Sequence, residues 1–222
     1  MPLDRPKRAI CPCCLRPQSA CLCAWIRPTA HPTEVLILQH PMEVQEAKGT
    51  ARLLHLSLAR SRLVTGEQFA PTELQTLLTS PFEALKTDSA AAPPRQAVLL
   101  YPDMPQDRAL GWPAPRALTP VELQNPAGLR LVVLDGTWRK SRKMLHLNPQ
   151  LQQLPRLALA QLPASRYRIR KARQLHQLST LEACCAALAQ LQNDAEPFEP
   201  LLAAFDGWVA QLLQARPPLP TC

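Results

Sequence analysis

The sequence predicts an α/β fold with a mostly parallel sheet and flanking helices. Short apolar runs of strand length alternate with longer segments whose apolar residues recur at helical spacing. This alternation is typical of βα units, in which helices join parallel strands and pack on the sheet. The predicted strands are residues 34–39, 62–65, 97–101, 131–134 and, more weakly, 156–160.

The predicted helices lie between and after these strands. Residues 50–59 carry leucines on a polar background, and residues 70–78 begin with a Pro-Thr-Glu entry. Residues 181–191 form an amphipathic helix that follows a capping box at residues 179–182. Its apolar face is Leu181, Cys184, Cys185, Leu188 and Leu191. A last helix is expected at residues 197–214, and loops at residues 87–95 and 103–115.

The N-terminal 33 residues differ from the rest of the chain. They hold five of the eight cysteines and show little periodicity. We expect a small zinc-binding module at residues 1–33, a catalytic domain at residues 34–216 and a tail at residues 217–222. A length of 222 residues suits one full domain with a small appendage.

The charge of the chain is positive and unevenly distributed. The formal net charge is +8 and the sequence pI is near 9.3. Residues 136–181 contain ten Lys or Arg residues and no Asp or Glu. A basic protein without an anionic partner is the alternative, but this clustering favours a polyanion such as nucleic acid.

The sequence shows neither a membrane span nor a secretory signal. No segment is long and apolar enough to cross a bilayer, and the charged N-terminus has no apolar run behind it. We therefore expect a cytoplasmic protein without membrane association, in which thiols stay reduced.

The cysteine cluster predicts a structural zinc site. Its ligands would be Cys11, Cys14, Cys21 and Cys23, because four thiolates in one short segment can enclose a tetrahedral ion. An iron–sulfur cluster and a knuckle of free cysteines are the alternatives. Cys13 could replace Cys11 or Cys14 as a ligand.

The most informative motif is Asp135-Gly136-Thr137-Trp138, directly after an apolar run. A strand that ends in an acid and a glycine turn places the acid at the carboxyl edge of the sheet, where α/β proteins bind ligands. The alternative is that Asp135 caps the helix that begins near Trp138. Trp138 would stack on a ligand or belong to the core.

Three further segments carry candidate contacts. Gln39-His40-Pro41 and Tyr101-Pro102 each follow a predicted strand, so they are either ligand loops or ordinary turns. Tyr167 lies among cations in an acid-free segment. Arginines contact phosphates and tyrosine stacks on exposed bases, so this segment is an RNA-binding candidate, with a solvated cationic face as the alternative.

In their order, these motifs resemble those of DTW-domain proteins, the bacterial tRNA-uridine aminocarboxypropyltransferases. The resemblance spans nearly the whole chain, and Gly49 and Ala172 depart from it. The matching motifs are the four-cysteine pattern and residues 39–43, 50–54, 101–102, 134–138, 165–171 and 178–183.

The resemblance implies a reaction and a fold. The 3-amino-3-carboxypropyl group of S-adenosylmethionine would move to N3 of a uridine in tRNA, in the variable loop, releasing 5′-methylthioadenosine. The implied fold is the knotted α/β fold of SPOUT-like enzymes. A SPOUT-like RNA methyltransferase and a non-catalytic zinc-containing RNA-binding protein are the alternatives. No protein partner is implied.

The resemblance also assigns roles to residues. Asp135 would be the general base, or the group that orients N3, with Trp138 beside it. S-adenosylmethionine would lie against Gln39, His40, Pro41, Tyr101, Pro102, Leu134, Gly136, Thr137, Leu178, Ser179 and Thr180. RNA would contact Arg139, Lys140, Tyr167, Arg168, Arg170 and Lys171.

Overall fold

A computed structural model describes residues 9–82, 95–160, 165–167 and 178–214. Five strands form one sheet in the order β2-β1-β4-β3-β5, and every strand pair is parallel. The strands are β1 (Glu34–Gln39), β2 (Ser61–Thr65), β3 (Gln96–Leu100), β4 (Leu129–Asp135) and β5 (Arg156–Leu157). The predicted α/β class with a mostly parallel sheet is confirmed.

Eight α-helices lie in the described part of the chain. They are α1 (Ala51–Ser57), α2 (Pro71–Thr79), α3 (Pro105–Arg108), α4 (Pro120–Leu123), α5 (Trp138–Leu147), α6 (Pro149–Gln152), α7 (Thr180–Gln192) and α8 (Glu199–Gln214). The predicted capping box is present, since the Ser179 side chain accepts from Glu182 N and the Glu182 side chain accepts from Ser179 N. The expected apolar face of α7 is buried.

Two predicted segments differ from the structure. The fifth strand ends at Leu157, because the backbone of Ala158 and Ala160 bonds to the Gln190 side chain on α7 instead of a neighbouring strand. The predicted loop at residues 103–115 contains the short helix α3. Most of the predicted loop at residues 87–95 lies outside the described residues.

Alternate residues of the strands supply two apolar layers. Val35, Ile37 and Val133 face α1, α7, α8 and the cysteine segment, whereas Leu36 and Val132 face α2, α5 and α6. Because side chains alternate along a strand, both faces of a doubly covered sheet must be apolar. This explains why β1 and β4 are buried at every position.

A buried ion network fixes the amino end of the central strands. Arg130 on β4 donates to the Glu34 carboxylate from Nε at 3.0 Å, and Arg95 Nε lies 3.1 Å from the other Glu34 oxygen. Arg130 also donates to the backbone oxygens of Leu77 and Ser80. Its charge is therefore paired and its donors are largely satisfied, as burial demands.

The N-terminal segment packs on the main body of the chain. The Trp25 indole donates to Gln211 on α8 at 2.6 Å, and its ring lies against Gly207. Arg16 donates to the backbone oxygens of Glu46, Ala47 and Gly49. The cysteine segment thus holds the loop that leads into α1. The division at residues 33 and 34 stays a prediction, and the tail at 217–222 lies outside the described residues.

The predicted knot and the absence of a membrane span are considered within the described residues. The path of the chain between β5 and α7 would decide the SPOUT-like knot, and residues 161–164 and 168–177 of that path lie outside the described residues. Within the described ranges, no helix combines the length and the hydrophobicity that a bilayer crossing requires.

Candidate active site

The carboxyl ends of β1 and β4 meet at Asp135. Gln39 and Asp135 are register partners in the parallel ladder, and the next residue, His40, donates its backbone N–H to the Asp135 backbone oxygen at 2.9 Å. The Asp135 side chain is 5% exposed. Its Oδ2 accepts from Gln39 Nε2 at 2.8 Å, and its Oδ1 accepts from Thr180 Oγ1 at 2.6 Å.

The helix-cap alternative for Asp135 is wrong. The N-cap of α5 is Thr137, whose hydroxyl accepts from Lys140 N at 3.4 Å. The Asp135 carboxylate instead joins three segments that are far apart in sequence: the end of β1, the end of β4 and the start of α7. A buried carboxylate held by two side-chain donors is a fixed negative charge at the ligand-binding edge.

The first turn of α5 carries an exposed tryptophan beside this carboxylate. Trp138 is 51% exposed and meets the Tyr101 ring edge to face, at a centroid distance of 5.5 Å. Tyr101 directly follows β3 and is buried. Burial and the nearby Asp107 carboxylate raise the pKa of Tyr101, so its hydroxyl stays neutral at physiological pH. Gly136 and Thr137 complete the turn between Asp135 and Trp138.

The start of α7 closes the edge from the other side. Glu182 is buried, and its carboxylate accepts from Ser179 N, from Arg166 N and from the Ser165 hydroxyl. It therefore fixes the position of Thr180 next to Asp135. Tyr167 is also buried and donates its hydroxyl to the backbone oxygen of Lys48.

The predicted cofactor residues lie either around Asp135 or in the loops after β1 and β3. The group around Asp135 comes from the end of β1, the end of β4 with the turn that follows it, and the start of α7. It consists of Gln39, Leu134, Gly136, Thr137, Ser179 and Thr180, with Leu178 beside them in sequence. His40 is buried: its Nε2 contacts Glu67 at 2.8 Å, and its Nδ1 accepts from Met42 N. Pro41 begins a 3-10 turn, and Tyr101-Pro102 lies at the end of the neighbouring strand β3.

The cations of α5 are mostly paired by acids from distant parts of the chain. Lys140 contacts Glu43 at 2.7 Å, and Arg142 and Lys143 pair in the same way with Asp107 and Glu67. Arg139 is exposed and makes no ion pair with any described residue. The acid-free run in the sequence is therefore not an unpaired surface. Arg168, Arg170 and Lys171 lie outside the described residues.

Sequence reasoning missed several residues that build this edge. Thr50 accepts from Leu181 N through its hydroxyl, which ties α1 to α7. The Arg156 guanidinium lies 5.2 Å from the Tyr101 ring centroid, and its Nε and Nη1 are buried without a hydrogen bond to the described residues. Thr50 lies in one of the matching motifs, whereas no local signal marks Arg156.

The four predicted cysteine ligands form one cluster. The Sγ atoms of Cys11, Cys14, Cys21 and Cys23 all lie within 4.8 Å of one another, with 3.7 Å between Cys11 and Cys23 and between Cys14 and Cys21. Tetrahedral zinc with Zn–S bonds of about 2.3 Å requires S–S separations of about 3.8 Å. The donor set therefore fits zinc.

Without a bound cation, the thiols of the cluster do not all ionise readily, because their pKa values shift in opposite directions. Backbone N–H groups of Cys14 and Cys13 lower the pKa of Cys11 to about 6, and contact with the Cys21 and Cys11 thiols raises the pKa of Cys23 to about 12. Crowded thiolates repel one another, so a cation among them would stabilise all four. Cys13 is exposed and does not belong to the cluster.

Known proteins resemble this chain over most of its length. The DTW domain model matches residues 8–213. Over 200 residues the chain is 30% identical to tRNA-uridine aminocarboxypropyltransferase 2 of Drosophila melanogaster, covering 86% of this chain and 69% of that protein. It is 28% identical to tRNA-uridine aminocarboxypropyltransferase A of Arabidopsis thaliana over 144 residues, covering 63% of this chain and 51% of the relative.

A third similar protein bears the same name as the first. The chain is 27% identical to tRNA-uridine aminocarboxypropyltransferase 2 of Mus musculus over 193 residues, covering 85% of this chain and 58% of the relative. The chain thus spans between half and about two thirds of the length of these eukaryotic relatives. No solved structure matches it significantly. On the family model, which covers most of the chain, this protein belongs to the DTW-domain family.

Proposed function

We propose that this protein transfers the 3-amino-3-carboxypropyl group of S-adenosylmethionine to N3 of a uridine in tRNA. The main structural support for this reaction is the buried Asp135 carboxylate at the carboxyl edge of the sheet. Hydrogen bonds from Gln39 and Thr180 hold it in place. The name shared by the relatives supports the same reaction.

The reaction requires a base because the N3–H of uridine is weakly acidic. Asp135 accepts this proton as general base while N3 forms a bond to the γ-carbon of the methionine moiety. In its alternative role Asp135 orients N3 and the proton passes to water. The bond between that carbon and the sulfonium breaks, and its electrons leave with sulfur in 5′-methylthioadenosine. The acceptor uridine must be unpaired, because N3 lies on the Watson–Crick edge.

The orientation of S-adenosylmethionine at the carboxyl ends of the strands decides which of its groups is transferred. S-adenosylmethionine carries three carbons on sulfur, so the enzyme must present the amino-acid arm rather than the methyl group. Positioning of this kind supplies much of the rate of a transfer. The predicted cofactor residues around Asp135 surround the place where the arm would lie.

We assign the methionine carboxylate to Arg156. Its guanidinium lies over the Tyr101 ring, and two of its nitrogens are buried without a hydrogen bond to the described residues. Buried donors of this kind need an acceptor. Arg156→Lys keeps the charge but loses the planar fork, so it should raise the KM for S-adenosylmethionine more than it lowers kcat.

We further propose a structural zinc ion, a knotted fold and a cytoplasmic location for this protein. Cys11, Cys14, Cys21 and Cys23 hold one zinc ion with a structural role, because a four-thiolate site has no open position for chemistry. The fold is the knotted SPOUT-like α/β type that the family resemblance implies. The protein acts in the bacterial cytoplasm, and Arg139, Lys140, Arg168, Arg170 and Lys171 contact the tRNA. The ring of Tyr167 is buried against Phe205, so Tyr167 supports this segment instead of stacking on a base.

Mass spectrometry of nucleosides tests the function directly. tRNA is incubated with the protein and S-adenosylmethionine, then digested, and the small-molecule by-product is identified. We expect 3-(3-amino-3-carboxypropyl)uridine and 5′-methylthioadenosine. S-adenosylhomocysteine with a methylated nucleoside would establish a methyltransferase instead. Failure to bind S-adenosylmethionine, with tRNA binding retained, would establish a non-catalytic RNA-binding protein.

A further inference from the structure

A cavity of about 480 Å³ opens beside the Asp135 edge. It lies between one face of α5 and the segment that follows β3. Residues 138, 139, 142, 143 and 146 line it, and their spacing places them on one side of the helix. Its volume lies within the range of small-molecule sites.

The walls of this cavity are aromatic. Trp138 and Tyr101 form one ring pair, and Trp112 and His146 form a second, nearly parallel pair with a centroid distance of 6.4 Å and an interplanar angle of 30°. Trp138 leaves half of its large apolar surface in water. Exposed aromatic faces in a concave site suit a planar ring, since every nucleic-acid base has a π-face that stacks on such a side chain.

The charge of the cavity separates two candidate ligands. Arg139, Arg142 and Lys143 line it with the Asp107 carboxylate. Arg142 pairs with Asp107 and Lys143 with Glu67, so Arg139 supplies the remaining positive charge among the described residues. S-adenosylmethionine carries a sulfonium and an ammonium against one carboxylate, so a positive cavity disfavours it. A nucleotide carries phosphate, which Arg139 can bind because it forms no ion pair with any residue in the described ranges. Among the predicted cofactor residues, Tyr101 is the one that lines this cavity.

Asp107 gives the cavity a specific acceptor. Its side chain is 12% exposed, and its Oδ1 lies 3.2 Å from Arg142 Nη2 in an ion pair without making a hydrogen bond to any described residue. Because this oxygen makes only the ion pair with Arg142 among the described residues, it can still accept a hydrogen bond from a ligand. In a uridine within an RNA chain, the donors are the base N3–H and the ribose 2′-OH, because the 3′ and 5′ oxygens are esterified.

We propose that this cavity receives the everted acceptor uridine of the RNA and that Asp107 accepts a hydrogen bond from its ribose 2′-OH. The inference rests on the proposed function, because N3 must face the transferred carbon and only the 2′-OH is then left for Asp107. The base stacks on Trp138, and Arg139 contacts the adjoining phosphate. The 2′-OH is the group that distinguishes RNA from DNA.

Direct binding tests this site without any turnover. The probes are an octamer of uridine and the matching octamer of deoxyuridine, with binding followed by tryptophan fluorescence and calorimetry. We expect the ribose octamer to bind about tenfold more tightly, the effect of one hydrogen bond to a charged group. Asp107→Ala removes this preference.

A matched control is Asp103→Ala. Asp103 lies four residues earlier, is exposed and pairs with Arg108 outside the cavity. This variant keeps the ribose preference. Equal affinity for the two octamers, binding of neither octamer, or a preference that survives Asp107→Ala would overturn the inference.

Two further outcomes separate this inference from the proposed function. Displacement of the ribose octamer by saturating 5′-methylthioadenosine would assign the cavity to the co-substrate and overturn the inference, while transfer activity would stand. A ribose preference that depends on Asp107, in a protein that forms no aminocarboxypropyluridine, would uphold the site and refute the proposed reaction.

Discussion

Replacement of Asp135 by asparagine distinguishes a catalytic role of this residue from a purely structural one. Among the described residues, Gln39 donates to one oxygen of the carboxylate and Thr180 donates to the other. Asparagine keeps one acceptor and sets an NH₂ group against one of these donors. The expected loss in the free energy of unfolding is about 1–3 kcal/mol, the cost of one unsatisfied buried polar group. Removal of a general base slows transfer by about 10²–10⁴-fold.

The assay combines two measurements on one preparation. Single-turnover formation of aminocarboxypropyluridine gives the rate of transfer, and thermal unfolding gives the stability. A chain of this size loses about 2–4 °C in Tm for each kcal/mol, so Asp135→Asn should melt roughly 2–12 °C lower. Transfer is measured well below that temperature, with saturating S-adenosylmethionine and tRNA, so that altered binding is not mistaken for altered chemistry.

Glu34→Gln is the matched control for stability. Glu34 lies at the other end of β1, where its carboxylate pairs with Arg130 and Arg95. Breaking this buried network costs about 3–5 kcal/mol, at least as much as Asp135→Asn. The control should nevertheless keep transfer within about threefold of the unmodified protein. If Asp135→Asn also stays within tenfold, Asp135 is only a structural tie and the catalytic assignment is refuted.

Three further predictions address the metal, the N-terminal contact and the RNA. Cys21→Ser should lower the zinc content from about one ion per chain and reduce Tm, whereas Cys13→Ser should leave both unchanged; metal analysis that finds iron, or no metal in folded protein, contradicts this. Gly207→Ala would place a β-carbon 2.2 Å from an indole carbon of the N-terminal segment, so denaturant unfolding should report a loss of about 1–3 kcal/mol. Arg139→Gln should reduce the log–log salt slope of tRNA binding by about one unit, and Lys140→Gln by less because Glu43 already pairs with that lysine; equal slopes would argue against a phosphate contact at Arg139.

Local sequence patterns were enough to predict most strands and the start of α7. Continuous apolar runs such as Leu131–Leu134 predict strands that are buried on both faces, and β4 is buried at every position. The capping box at Ser179 needs only residues three apart, so it is also readable from the chain. The fifth strand is shorter than predicted, because the backbone of Ala158 and Ala160 bonds to the side chain of Gln190, some thirty residues away.

The sequence by itself determined the α/β class, the four-cysteine cluster and the placement of Asp135 at a strand end, because each depends on neighbouring residues or on a short fixed spacing. Only the tertiary structure decided what Asp135 touches and which cations are paired. Thr180 and Glu43 reach the site from segments 45 and 97 residues away from their partners, Asp135 and Lys140. Contacts of that range depend on how the sheet brings strand ends together, and linear charge patterns carry no information about it.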